Sequence, residues 1–164
     1  VKNLNGFNVM AKSINDWVDN YAESHQNSTN KKIHWICVPL IMFSLLGLLS
    51  AVKLFDVKGF EMNLCYVLII FAWLFYLNLS LVISIGMFFI SALQLLLIYY
   101  LEINLDKTLL LYLYMAIFVV AWIGQFIGHK IEGQKPSFFE DLQFLLIGPA
   151  WIISFIYKKL GIKY

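Results

Sequence analysis

Forty consecutive residues, Met62 to Leu101, carry no Lys, Arg, Asp or Glu. A soluble domain has no place to put such a run. As one helix it would measure about 60 Å, twice a hydrocarbon core of about 30 Å. It therefore reads as two spans that turn near Asn78-Leu79-Ser80. Ile33–Val52 and the 22 residues Thr108–His129 are further uncharged runs. Leu142–Tyr157 has only 16 residues and contains Gly148-Pro149, which fits a re-entrant or interfacial segment better than a full crossing.

The expected fold is thus a single all-α membrane domain over 1–164, a multi-pass helical bundle of about four transmembrane helices. The spans are placed at approximately 35–53, 62–78, 80–101 and 108–128, and 142–157 is left as a partial span. Composition agrees. The chain is 61% hydrophobic and 13% charged, against roughly 45–50% and 25% in soluble domains. The 12 basic residues are all Lys, and with 10 acids they leave a net charge of +2. That excludes a basic nucleic-acid surface. Cys37 and Cys65 sit in apolar runs without the spacing of a disulfide framework or a metal site.

The first 32 residues are polar and lack a short apolar core, so no signal peptide is expected and the first span serves as its own insertion signal. If the last segment returns to its own side, the lysines divide nine against three. The positive-inside rule then puts both termini in the cytoplasm. The expected location is a bacterial inner membrane, or the endoplasmic reticulum in a eukaryote. Residues 12–25 form an amphipathic pattern. Ser13 and Asp16 have capping-box spacing, and Ile14, Trp17, Val18, Tyr21 and His25 follow on one stripe. Ser137 and Glu140 have the same spacing ahead of the last helix.

The only histidines are His25, His34 and His129. Two precede the first span and one follows the fourth. Four crossings return a chain to its starting face, so all three lie on one side of the membrane. Their surroundings are polar: Tyr21, Glu23, Gln26, Asn27 and Asn30 upstream, Gln125 and Glu132 downstream. Asn30 and His34 share a helical face, as do Gln125, His129 and Glu132. A His-x-x-Glu pair offers an imidazole and a carboxylate to one metal, or a ligand and its partner. Gly128 and Gly133 flank it, suited to close backbone approach or a helix end. Three imidazoles with a nearby carboxylate suit Fe(II), Zn(II) or Mn(II). Interfacial histidines without a metal are the competing reading, with His129 capping a helix end. No P-loop, Gly-x-Ser-x-Gly or Gly-x-Gly-x-x-Gly motif is present.

Two stretches, Tyr21–Pro39 and Trp122–Pro136, with a tail through Leu146-Ile-Gly-Pro149, resemble the membrane 2-hydroxy fatty acid dioxygenases, enzymes of iron-dependent α-oxidation. The resemblance implies Fe(II) as cofactor, a 2-hydroxy fatty acid and O₂ as substrates, and His25, His34 and His129 as iron-associated residues. Glu132 would bind iron or orient His129. Tyr21, Asn30 and Gln125 would support the site, and Lys31, Lys32 or Lys130 would attract the carboxylate. The acyl tail would lie between the apolar helices. An α-hydroxy acid chelates through hydroxyl and carboxylate, so two positions for substrate and one for O₂ leave three for protein. The alternatives are another lipid-directed metalloenzyme, such as a zinc hydrolase, and a non-enzymatic membrane scaffold or lipid-binding protein.

Overall fold

The computed structural model describes residues 13–133 and 138–164. Six helices and one hairpin follow in the order α1 (Ile14–Glu23), α2 (Ser28–Ser50), β1 (Lys53–Val57), β2 (Phe60–Asn63), α3 (Leu64–Leu79), α4 (Leu81–Asn104), α5 (Lys107–Glu132) and α6 (Phe138–Leu160). α2, α4 and α5 are each long and apolar enough to cross a membrane. α3 is apolar but has 16 residues, about 24 Å of helix. The outer faces of these helices expose large apolar side chains such as Phe71, Phe89, Leu93, Tyr112 and Val120, while His25, Asn30, His34, Gln125 and His129 are buried. This polarity, apolar outside and polar within, is that of a chain solvated by lipid.

Each helix start has a local cause. Ser13 and Asp16 form the expected capping box on α1. Asn27 caps α2 through Thr29 and Asn30 N–H, so α2 begins seven residues ahead of the expected span and His34 lies inside it. Ser80 ends α3 and caps α4, where the turn was expected. The capping box expected at Ser137 and Glu140 lies outside the described residues.

Two features depart from expectation. Residues 53–63 form an antiparallel hairpin turning at Lys58 and Gly59, which have φ of 53° and 87°. Two residues of positive φ make the turn type that matches strand twist. The second departure is α6, which continues unbroken through Gly148-Pro149. In that turn the Tyr76 hydroxyl of α3 donates to Leu146 O at 2.6 Å, tying α6 to α3. Gln94 Nε2 of α4 donates to Pro39 O of α2 at 3.2 Å.

α2 and α5 run antiparallel as the central pair, and glycines let them touch. A Cβ on Gly124 would sit 2.6 Å from Cys37 Sγ, and one on Gly128 would clash with Asn30 Oδ1. At the opposite end Gly47 of α2 faces the Tyr114 ring, where a Cβ would come within 2.6 Å. Small residues at such contacts are how helices approach closely in a bilayer. α6 lies over the histidine-bearing end. Its Gly148 faces Tyr21 and Val38, Ile153 and Tyr157 face Gly86, and the Tyr157 hydroxyl donates to Val82 O at 3.1 Å.

Candidate metal centre

The apolar stripe of α1 carries the first histidine. Ile14, Val18 and Tyr21 are buried, and His25 follows one turn later, just past the end of the helix. Its ring stacks on Tyr21 with centroids 4.1 Å apart and planes 12° from parallel. Tyr21 is backed in turn by Trp151 and Phe144 of α6. His25 Nδ1 lies 2.6 Å from Tyr21 O and 3.1 Å from Ser24 Oγ. The short contact to a carbonyl makes Nδ1 the protonated nitrogen, which leaves the lone pair on Nε2. That Nε2 is buried and has no hydrogen-bond partner.

His34 repeats the device on α2. Its Nδ1 donates to Asn30 O, four residues back, at 3.0 Å, so its Nε2 also presents a lone pair. His129, in the last turn of α5, brings its Nε2 to 3.3 Å from His34 Nε2. The three imidazoles offer nitrogen atoms that all lie within 4.8 Å of one another, and all three residues are buried. Among the described residues they are the group with metal-ligand chemistry.

The donor set fits an ion. Two nitrogens bound to one cation at about 2.1 Å each, with an angle near that of a tetrahedron or octahedron, stand roughly 3.0–3.4 Å apart. The separation of His34 and His129 falls there. Burial lowers the pKa of His25 to about 4, against the weaker pull of its bond to Tyr21 O. The imidazole is therefore neutral at pH 7, as a ligand must be. Fixing one ring nitrogen on a carbonyl while the other faces the metal is the usual outer support of a histidine ligand.

Glu132 sits beside this cluster with a different task. Its oxygens accept from Gln26 N–H at 2.6 Å, Asn27 N–H at 2.9 Å and Asn30 Nδ2 at 2.9 Å. The carboxylate thus binds the last turn of α5 to the first turn of α2, where a negative charge also suits the helix dipole. Asn30 is fully buried between the two, reaching Ser24 O as well. Gly133 ends α5 in a left-handed conformation at φ 76°. Gly128 and Gly133 therefore do what their placement implied, one admitting Asn30 and one stopping the helix.

The cluster opens into a cavity of about 590 Å³, within the usual range for small-molecule sites, roughly 300–1,000 Å³. Tyr21, His25, Gln125 and His129 line its polar end, with Asn20, Glu23 and Ser24 at the same end. Its remaining walls are mainly apolar side chains of α2, α3, α4 and α6. Gln125 lines the space. Lys31, Lys32 and Lys130 are not among the lining residues. Lys31 is half-buried and the other two are exposed. Trp122 lines the cavity too. Its signal was the spacing of Trp122, Gln125 and His129, one face of α5.

The comparisons with known proteins follow the same lines. The family model described as "2-hydroxy-palmitic acid dioxygenase Mpo1-like" matches residues 11–160. The 2-hydroxy-palmitic acid dioxygenase MPO1 of Saccharomyces cerevisiae is 32% identical over 143 residues, which cover 86% of this chain and 78% of the yeast protein. No solved structure matches the chain.

Proposed function

This chain belongs to the 2-hydroxy-palmitic acid dioxygenase Mpo1-like family, and on that premise we propose that it is an Fe(II)-dependent dioxygenase of 2-hydroxy fatty acids. The observation that carries the proposal is the three-histidine cluster at the head of an apolar cavity. The reaction is R-CH(OH)-COOH + O₂ → R-COOH + CO₂ + H₂O, which balances without an outside reductant.

His25, His34 and His129 would hold the iron, which when bound supplies the one-electron chemistry that O₂ needs and a seat for the hydroxy-carboxylate. Three protein ligands would leave positions open for both substrates. Tyr21 and Asn30 hold the rings of His25 and His34 through their carbonyls. Glu132 keeps α5, and with it His129, against α2. Gln125 offers amide donors to the substrate head group from the cavity wall. The apolar walls bind the acyl tail and keep bulk water from the reacting end. The lysine distribution and the position of α6 across the histidine end support an interfacial last helix, with the site and both termini on the cytoplasmic side of the membrane.

The test is anaerobic reconstitution of detergent-purified protein with Fe(II), followed by addition of O₂ and 2-hydroxypalmitate labelled at the carboxyl carbon. The expected result is about one iron per chain, labelled CO₂ and the acid one carbon shorter. His34→Ala should lose both metal and turnover. Tight zinc binding with ester or amide hydrolysis would favour the hydrolase reading. No metal and no effect of the substitution would overturn the proposal.

A further inference from the structure

The cavity has a length as well as a volume. Its apolar wall covers matching stretches of three helices, from Val38 to Leu46 on α2, Tyr76 to Leu68 on α3 and Met87 to Leu95 on α4. Each stretch spans about 12 Å, and the one turn from His34 to Val38 adds about 6 Å. The far end meets a packed apolar cluster. Leu46 is buried there, Leu68, Ile69 and Leu95 pack around it, and Cys65, Ile98, Leu110 and Tyr114 fill the space behind. Midway, Ala72, Ser91 and Ala92 line the space with small side chains. An extended chain advances about 1.2 Å per backbone bond. About 18 Å therefore accommodates roughly 15 carbon–carbon bonds below the histidines.

We propose that this cavity gauges the acyl chain, its floor at Leu46 setting the longest 2-hydroxy acid bound in full at about sixteen carbons. The inference rests on the dioxygenase reading above. It assigns chain-length selection to Leu46 at the floor and to Ala92 in the wall, neither of which is near the histidines. Each methylene that enters an apolar site improves binding about fourfold, and one that finds no room loses that gain. The profile of kcat/KM against chain length should therefore climb and then break where the tail meets Leu46.

The experiment uses the full-length, iron-loaded protein in detergent and saturated 2-hydroxy acids from twelve to twenty-two carbons. Binding of the same acids is followed separately by quenching of tryptophan fluorescence, since Trp73 and Trp122 line the cavity. Wild type should break near sixteen carbons in both measurements. Leu46→Ala should move the break to longer chains, raising the eighteen- to sixteen-carbon ratio by about fourfold or more. Ala92→Leu should move it to shorter ones, and it alone decides the matter if Leu46→Ala fails to fold. Turnover at every length with no break, or breaks unmoved in both variants, would overturn the gauge and leave the dioxygenase reading standing. Absent turnover with full iron would overturn the dioxygenase reading. The gauge would then stand or fall on the break in binding.

Discussion

The two ends of the α2–α5 pair are built on the same device and differ in what it admits. At one end Gly128 of α5 makes room for the buried amide of Asn30 and, beyond it, the His34 ring. At the other Gly47 of α2 makes room for the Tyr114 ring. The first contact lies among hydrogen bonds that join Asn30 to Glu132 and hold the His34 ring on Asn30 O. The second lies among Leu46, Cys65, Ile98 and Leu110, where any well-packed shape would serve. Close helix approach therefore has two uses in this molecule, precision at the polar end and density at the apolar one.

The pair of alanine substitutions separates these uses and carries the largest expected effect. Gly128→Ala and Gly47→Ala should each cost about 1–3 kcal/mol of stability by overpacking, measured by thermal unfolding in detergent. Only Gly128→Ala should also lose iron per folded chain, because Asn30 is held by Glu132 and Ser24 O and cannot swing aside. Equal iron retention in both would erase the distinction between the ends. A smaller effect is expected from Glu132→Gln, which keeps the shape but removes the charge held by three N–H groups. Iron affinity should fall roughly 10–100-fold, the usual cost of losing an outer partner, and further in Glu132→Ala. An affinity unchanged in both would mean the clasp is irrelevant to His129. The smallest effect belongs to the hairpin. The exposed Lys53–Glu61 ion pair should contribute about 0–1 kcal/mol, and Lys53→Ala should leave turnover and iron content at wild-type levels.

Much of this arrangement was legible in the residues. Charge-free runs set the helices of the bundle, and counting crossings puts His25, His34 and His129 on one face. The turn at Asn78–Ser80 and the capping box at Ser13 were readable because each depends on residues at most three apart. What escaped depends on partners far away in the chain. Glu132 reads as a candidate ligand from its spacing to His129. Its oxygens meet Gln26, Asn27 and Asn30, more than a hundred residues earlier. Gly148-Pro149 reads as a break, yet α6 continues through it, tied there to α3 by the Tyr76 hydroxyl on Leu146 O. The hairpin escaped for a local reason. Its turn uses Lys58-Gly59, and lysine is not a residue that announces positive φ.

The clasp between Glu132 and the start of α2 also has a consequence for how the protein is made. Two of the three imidazoles emerge from the ribosome early, and the third follows almost a hundred residues later. Such a separation is closed only when distant segments meet. Until α5 has entered the bilayer and seated its glycines against α2, the nascent chain offers an ion two nitrogens and no carboxylate to lock the helices. Completion of the histidine cluster is thereby made a late event in biogenesis, dependent on insertion of the helix that also completes the wall around it. A chain arrested before α5 would reach the membrane with its histidine cluster incomplete.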